Sequence, residues 1–244
     1  MGPTGNGSGV EREQREDSAI AVATRVVAAW AVILAGVLAL GWLLTGPLEP
    51  TVDPWDDDVV RWFAGERTGD LNAAADVGTF FGETIVGVAV AVVIAAALSL
   101  WQRSVRPAVF FGLVLAGVGG FYAIATMLIS RDRPPVRILD PGLVPDDSFP
   151  SGHLGTAIAV YGGTVVVLRW LAPRARAWAW LLLLVPVAVA LARLYQGAHH
   201  PTDELASVLY TTAWLGVVSR VVLGSVTSTG ADPARHPAGA RSGP

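Results

Sequence analysis

The sequence predicts an all-α integral membrane protein, a bundle of six transmembrane helices with a candidate interfacial amphipathic helix between spans 1 and 2. Of the 244 residues, 52% are hydrophobic and only 15% are charged, which is unusual for a soluble domain of this length. The mean hydropathy of +0.51 agrees with a membrane protein. Six apolar runs have about the length of a hydrocarbon core; they lie roughly at residues 26–46, 84–101, 107–130, 152–170, 177–195 and 204–224.

Polar segments flank the predicted six-span domain, which covers residues 21–225. Residues 1–20 are rich in glycine and then in charges, and residues 226–244 are similar, so both segments are predicted to be disordered tails. The first apolar run begins after Arg25 and is longer than the core of a signal peptide. We therefore expect a retained helix rather than a cleaved signal.

The composition also narrows the chemistry. The chain has no cysteine, which excludes disulfides, thiolate nucleophiles and cysteine-ligated metals. Its net charge of -3 gives no reason to expect a nucleic acid partner. Membrane lipids are the expected surroundings, and no obligate protein partner is evident.

The placement of arginines predicts the orientation of the spans. By the positive-inside rule, the short connections and span ends that carry arginines are cytoplasmic. Both tails are then cytoplasmic, and the first, third and fifth connections are extracytoplasmic. The first connection is acidic, and apolar residues recur in it at helical spacing between Trp55 and Gly78, as in a helix that lies along the membrane surface. The arginines used here are Arg25, Arg103, Arg106, Arg169, Arg174, Arg176 and Arg220.

Three other arginines collect at the predicted extracytoplasmic ends of spans. Arg131 and Arg133 follow span 3, and Arg193 ends span 5, where a charge is costly unless it is paired or hydrated. A guanidinium group matches phosphate oxygens and keeps its charge, so converging arginines indicate a phosphate site. For Arg137 alone, an anchor at the membrane interface is the favoured interpretation.

The stretch FPSGH, residues 149–153, opens span 4. Ser151 is expected to cap this helix, so that the N–H groups that follow it form an anion site. Gly152 allows a ligand to approach the backbone closely, and His153 could then donate a proton to that ligand. Taken alone, the pattern is also typical of ordinary helix capping beside a structural histidine.

Between spans 5 and 6, Asp203 lies four residues after His199. A carboxylate at this spacing can hold one imidazole nitrogen and leave the other free as a nucleophile. The alternative is that Asp203 only caps span 6, while His199 and His200 are hydrated loop residues.

Three motifs occur together and in order. They are RDRP at Arg131–Pro134, PSGH at Pro150–His153, and R-x5-H-x3-D at Arg193, His199 and Asp203. In order and in placement they resemble the signatures of the type 2 phosphatidic acid phosphatase family, a membrane branch of the acid phosphatase and vanadium haloperoxidase superfamily. The resemblance covers roughly residues 50–215, and the combination is far more specific than any single motif.

This resemblance implies metal-independent hydrolysis of a lipid phosphomonoester or diphosphate at the extracytoplasmic face of the cell membrane. The implied substrates include phosphatidate, phosphatidylglycerol phosphate and undecaprenyl diphosphate. His199 would attack phosphorus to form a phosphohistidine, Asp203 would orient His199, and His153 would protonate the leaving alcohol. No cofactor or metal is implied, and His200 has no assigned role. The residues implied to hold the phosphoryl oxygens are Arg133, Arg193, Ser151 and Gly152.

The chain departs from the family pattern at two positions. Thr126 stands where a lysine is usual, seven residues before Arg133, and Ala192 stands where a serine usually opens the third motif. Losing the lysine removes one phosphate-binding charge, and we hypothesise that Arg131 replaces it.

Three other interpretations remain open. The chain could bind or transport phosphorylated lipids through its arginines alone, or it could transfer the phosphoryl group to an acceptor other than water. His153, His199, His200 and Asp203 could instead form a zinc or iron site, although the arginines on the same face would repel a cation. A nucleophile, an orienting carboxylate and an acid are needed only for turnover, which favours the enzyme.

Overall fold

A computed structural model describes residues 7–141, 143–172, 174 and 177–224, with only the backbone described for residues 7–18. The described residues form an all-α bundle. A π-helical turn, Ile158–Gly162, joins α6 to α7, and a 3-10 segment, Ala179–Leu183, precedes α8. The helices are α1 Gly7–Leu44, α2 Glu49–Gly65, α3 Gly69–Phe80, α4 Thr84–Gln102, α5 Arg106–Leu128, α6 Gly152–Ala157, α7 Gly163–Leu171, α8 Leu184–Tyr195 and α9 Pro201–Val222.

Within the described residues, five helical segments are long and apolar enough to cross a membrane, and they match five of the six predicted spans. The remaining run forms the shorter apolar segment Ala179–Tyr195. Because its first turns are 3-10 helix, which rises about 2.0 Å per residue, this segment is roughly 28 Å long and close to the ~30 Å of a hydrocarbon core. The five longer segments are Ala19–Leu44, Thr84–Gln102, Arg106–Leu128, Gly152–Leu171 and Pro201–Val222.

Helix α5 lies at the centre of the bundle and contacts α1, α4 and α9. Its Phe121 stacks on Trp30 of α1, with ring centroids 5.1 Å apart, and meets Trp214 of α9 edge-on at 5.8 Å. Gly117 makes the approach of α9 possible, because a Cβ atom there would lie 2.1 Å from Nε1 of Trp214. In lipid the hydrophobic effect does not drive helices together, so close packing between spans depends on small residues at their contacts.

The connection between the first two spans differs from the prediction of a single amphipathic helix. It contains two helices, α2 and α3, because Thr68 starts a new helix: its hydroxyl accepts a hydrogen bond from the backbone N–H of Leu71 at 3.3 Å. Exposed Trp55 and Trp62 of α2 give it an apolar face, as expected of an interfacial helix.

The N-terminal segment also differs from the prediction. Helix α1 begins at Gly7, so it extends into the predicted tail of residues 1–20. The charged run Glu11–Asp17 consists largely of helix-favouring Glu, Arg and Gln and continues into the apolar span without a proline or glycine. The predicted tail at 226–244 lies outside the described residues.

All the helix ends that carry motif residues lie at one end of the bundle, called here the site end. Helices α5 and α8 finish there, and α6 and α9 begin there. The loop between α5 and α6 is held against the end of α8, since the backbone N–H of Leu139 donates to the carbonyl of Gln196 at 3.0 Å. This alternation brings the three motifs together, although the first and third are some sixty residues apart in the chain.

Gly197 ends α8 and turns the chain toward His199. Its φ of 74° is left-handed, and a Cβ atom there would lie 2.6 Å from Cγ2 of Val136. We therefore expect Gly197→Ala to lower the free energy of unfolding by at least about 1 kcal/mol. Gly36→Ala is the matched control, because a Cβ atom at Gly36 meets nothing within 4 Å. Thermal unfolding in detergent measures both variants, and equal stability would contradict the expectation.

Candidate active site

The start of α6 forms the helix end predicted from FPSGH. The hydroxyl of Ser151 accepts from the backbone N–H of Leu154 at 3.4 Å, which confirms the predicted cap. The carbonyl of Ser151 accepts from the hydroxyl of Ser207 on α9 at 2.9 Å, so the cap is tied to the neighbouring span. A Cβ atom at Gly152 would lie 2.9 Å from the Tyr122 ring, so this position accommodates only glycine without a shift of that ring.

His199 is buried, and one of its two ring nitrogens is held by the backbone. Its Nδ1 lies 2.7 Å from the carbonyl oxygen of Ser148. A carbonyl can only accept, so Nδ1 carries the proton and Nε2 of the neutral ring keeps its lone pair. Burial, followed by the positive charge of Arg193, lowers the pKa of His199 well below its ordinary value. The imidazole is therefore neutral at neutral pH, as a nucleophile requires.

Asp203 does not hold His199, which corrects the role implied by the resemblance. Its Oδ2 accepts from the Ser148 hydroxyl at 2.6 Å and from the backbone N–H of His200 at 2.8 Å, while its Oδ1 accepts from Arg131 at 2.6 Å. Asp203 is the third residue of α9, and from there its carboxylate bonds back to the start of its own helix as a capping group. Its hydrogen-bonded connection to His199 runs through Ser148, whose carbonyl holds the imidazole, and its negative charge also acts on His199 directly.

His200 belongs to the same cluster as Asp203. Its Nδ1 lies 3.3 Å from Oδ2 of Asp203, and its Nε2 lies 3.3 Å from Oδ1 of Asp57 on α2. It therefore joins α9 to α2 and is not a hydrated loop residue. The two neighbouring histidines therefore have different partners: His200 contacts carboxylates, and His199 contacts a neutral carbonyl.

Arg193 is fully buried at the end of α8. Its Nη1 donates to Oδ2 of Asp140 at 2.6 Å and to Oε1 of Gln196 at 3.1 Å. Its Nε and Nη2 have no hydrogen-bond partner among the described residues. Buried donors without a partner are costly, and a guanidinium group with two of them can bind a phosphoryl group.

Arg133 lies close to Arg193 and braces the surrounding loop. It donates to three backbone carbonyls: those of Val144 at 2.7 Å, Asp147 at 2.9 Å and Ala198. Burial and the charge of Arg193 lower the pKa of Arg133, although an arginine remains charged at any physiological pH. Arg133 thus adds positive charge beside His199 while most of its nitrogens are already committed to the loop.

Arg131 uses both of its Nη nitrogens for carboxylates, which argues against the hypothesis that it replaces the missing lysine; among the described residues only its Nε has no partner. Its Nη1 donates to Asp203 at 2.6 Å and its Nη2 donates to Asp53 at 2.7 Å and to Asp56 at 2.8 Å. Burial by itself would lower the pKa of Arg131, but these three carboxylates outweigh burial and raise the pKa. The acidic first connection supplies two of the carboxylates, so α2 docks on α9 through this arginine.

We expect Arg131→Ala to act mainly on stability. The substitution leaves Asp56 and Asp203, both fully buried, without their cation, which should cost about 3 kcal/mol of the free energy of unfolding. Arg61→Ala is the control, because Arg61 pairs with two carboxylates on the exposed face of α2. Chemical denaturation in detergent compares the two, and an equal effect would show that Arg131 is not the cation these buried carboxylates need.

The two histidines of the motifs share the same electrostatic surroundings. His153, in the first turn of α6, interacts with Arg193, Arg133 and Asp140, and His199 interacts with the same two arginines. The resemblance implies such a meeting of the second and third motifs, because His199 and His153 would act on the same phosphate ester. The arrangement suits transfer of a phosphoryl group, whose negative charge both arginines stabilise.

A polar cavity of about 430 Å³ lies beside this centre. Arg133 and His200 form part of its wall, while the buried His199 does not. Its remaining polar lining comes mainly from α2 and the RDRP loop and comprises Thr45, Glu49, Asp53, Asp57, Ser130, Arg131 and Asp132. Among the described residues, no group of three or more His, Asp or Glu side chains could hold a metal ion.

Sequence reasoning missed three residues of this region. Ser148 comes directly before FPSGH. It holds His199 through its backbone carbonyl, which every residue type has, so the sequence could not indicate this contact. Gln196 and Asp140 both contact Arg193 and come from different segments, so only the fold brings them together. The sequence offered one hint, which is that Gln196 is an amide within the third motif.

Comparisons with known proteins agree with this architecture. A family model described as the PAP2 superfamily matches residues 107–226, which contain all three motifs. The crystal structure of a transmembrane PAP2-type phosphatidylglycerolphosphate phosphatase from Bacillus subtilis superposes with a TM-score of 0.65 at 21% sequence identity. The superposition covers 79% of this chain and 93% of that one. No curated protein sequence matches this chain significantly.

Proposed function

Because the chain belongs to the PAP2 superfamily, we propose that it is a membrane-integral phosphatase that hydrolyses a lipid phosphomonoester or diphosphate through a phosphohistidine at His199. One observation carries this proposal. A buried, neutral His199 with a free Nε2 lies within the electrostatic reach of Arg193, whose Nε and Nη2 have no partner among the described residues. A nucleophile and an anion site thus occur at the same place.

In the first step, Nε2 of His199 forms a bond to phosphorus as the bond between phosphorus and the lipid oxygen breaks. His153 gives a proton to that oxygen, which leaves as an alcohol or, from a diphosphate, as a lipid phosphate. The imidazole becomes positively charged, and the Ser148 carbonyl stabilises it by accepting from Nδ1–H. Arg193 and Arg133 stabilise the negative charge on the phosphoryl oxygens.

In the second step, water attacks the phosphohistidine. The water gives a proton to His153, its oxygen bonds to phosphorus, and the bond between phosphorus and Nε2 breaks. Inorganic phosphate leaves, and both histidines return to their starting states. Asp203 acts at a distance in this scheme: it orients Ser148 and pairs with Arg131, and these contacts hold the carbonyl that positions His199.

A lipid substrate fits a site at helix ends, where a headgroup can reach Arg193 while its tails stay among the spans. The Bacillus subtilis structure is described as a phosphatidylglycerolphosphate phosphatase, so that lipid is one candidate, together with phosphatidate and undecaprenyl diphosphate. The arginines of the opposite connections support placing the site end at the extracytoplasmic face.

The test is release of inorganic phosphate by the purified protein from a panel of these lipid phosphates, in detergent with EDTA. We expect turnover of at least one lipid, unaffected by the chelator. Acid quenching should destroy the phosphoenzyme and alkaline quenching should preserve it, because a bond between phosphorus and nitrogen is labile in acid. Release of no phosphate from any lipid would leave a binding or transport role, and loss of activity with EDTA would indicate a metal enzyme.

A further inference from the structure

A polar seam joins α3 to α8 next to Arg193. Gln196 lies at its centre, immediately after α8, and is 2% exposed. The facing side chains, Thr79 and Asp76, belong to α3, the second helix of the acidic first connection. Burying an amide side chain costs free energy unless its N–H and C=O groups are hydrogen-bonded, so the partners of Gln196 indicate what it does.

Every polar atom of the Gln196 side chain has a partner. Its Nε2 donates to Oδ1 of Asp76 at 3.0 Å, while its Oε1 accepts from the hydroxyl of Thr79 at 2.7 Å and from Nη1 of Arg193 at 3.1 Å. The carboxylate of Asp76 can only accept, so the NH₂ group must point toward Asp76 and the oxygen toward Arg193 and Thr79. Asp76 therefore fixes which end of the amide meets the arginine.

This contact restricts the orientation of Arg193. Its Nη1 is held by two acceptors, Gln196 and Asp140 at 2.6 Å, which come from different segments of the chain. Two acceptors on one nitrogen define the plane and the direction of the guanidinium group. The other two nitrogens, Nε and Nη2, are left buried and without a partner among the described residues.

We infer that Gln196 is a positioning residue, which together with Asp76 and Thr79 of α3 orients Arg193 for binding a phosphoryl group. The inference rests on the proposed function to the extent that Arg193 is the phosphate site. It assigns a function to α3, a helix that supplies no group to the reaction itself. Because Gln196 acts through Arg193, its removal should weaken phosphate binding without removing any group that touches phosphate.

The same two helices are also joined by a contact that does not involve Arg193. The hydroxyl of Tyr195 donates to Oδ1 of Asn72 at 2.8 Å and accepts from the backbone N–H of Thr68 at 3.0 Å. Tyr195→Phe thus removes hydrogen bonds between α3 and α8 and leaves the partners of Arg193 in place. Comparing Tyr195→Phe with a substitution of Gln196 therefore distinguishes a merely structural role of the seam from the positioning of Arg193.

The experiment measures the dissociation constant of inorganic phosphate by calorimetric titration of the purified full-length protein. We expect Gln196→Leu to raise it about tenfold, the effect of losing one hydrogen bond to a charged group. Tyr195→Phe should leave it within about twofold of the wild type. Equal dissociation constants for the two variants, with similar thermal unfolding, would overturn the inference.

A second pair of variants tests the inference if Gln196→Leu does not fold. Asp76 and Asp70 are both exposed carboxylates of α3, and Asp76 contacts Gln196. Asp76→Ala frees the amide to turn and should weaken phosphate binding roughly threefold, whereas Asp70→Ala removes an equal charge and should not. If both variants behave alike, Asp76 does not act through Gln196, and the inference fails.

The binding measurement is independent of turnover. A protein that releases no phosphate from any lipid but binds phosphate in a Gln196-dependent way would refute the phosphatase and retain the positioning role. Turnover of a lipid, together with a phosphate dissociation constant that does not change in Gln196→Leu, would retain the phosphatase and refute the positioning role.

Discussion

Replacing His199 with alanine should lower phosphate release from the preferred lipid by at least about 10³-fold, the largest effect expected of any single substitution in this chain. The substitution removes the Nε2 lone pair, and no other described nucleophile has comparable surroundings. Within the described part of the chain, the ring makes a single hydrogen bond, to the Ser148 carbonyl, so the protein should still fold. The variant should also show no acid-labile phosphoenzyme.

The matched control is the neighbouring histidine. His200→Ala keeps the backbone N–H that donates to Asp203 and loses the side-chain contacts with Asp57, Asp203 and the Ser148 hydroxyl. We expect its activity to fall less than tenfold, which is the effect of a bracing residue. If His200→Ala abolished the phosphoenzyme and His199→Ala retained it, the nucleophile would be assigned to the wrong histidine.

Replacing Arg193 with lysine should lower kcat/KM by roughly 10² to 10³-fold, even though the charge is kept. Its guanidinium group donates to Asp140 and Gln196 through one nitrogen and, in the proposed mechanism, donates to the phosphoryl group through the other two. A single ammonium group at this buried position cannot reach both sets of partners. In the proposed mechanism the lost donors face the developing charge of the transition state, so kcat should fall along with the affinity for phosphate.

Arg137→Lys is the control for this substitution. Arg137 is an exposed arginine of the loop between α5 and α6, and its backbone carbonyl, which is unaffected by the change, is the group that accepts from Arg67. It should match the wild type in kcat/KM. Steady-state kinetics on the same lipid compares the two, and an Arg193→Lys variant within tenfold of the wild type would exclude Arg193 as the main phosphoryl donor.

The helices were largely predictable because membrane spans need length and apolarity, and both are local properties of a sequence. The five long spans appear where the apolar runs predict them. Local signals also placed the Ser151 cap, since its hydroxyl bonds to an N–H only three residues away. The division of the first connection into α2 and α3 follows from a similarly local signal at Thr68, which lies inside the run predicted to be one amphipathic helix.

The charge pairs were not predictable in the same way. RDRP contains two arginines two residues apart, and the chain alone does not indicate that Arg131 points to Asp53, Asp56 and Asp203 while Arg133 braces backbone carbonyls. Each partner lies more than ten residues away in sequence. Which arginine meets a carboxylate is decided by which helix packs against the loop.

The sequence by itself determined the membrane class, the succession of spans and the set of reactive groups, because these depend on composition, periodicity and short motifs. Only the tertiary structure decided how those groups are shared. It gave His199 a hydrogen bond to the Ser148 carbonyl instead of to Asp203, paired Arg131 with carboxylates, and bonded Nη1 of Arg193 to Gln196 while its Nε and Nη2 have no partner among the described residues. The physical reason is that a hydrogen bond in a buried site requires its donor and acceptor to be placed to within a few tenths of an ångström. That placement is set by the packing of helices that are far apart in the chain.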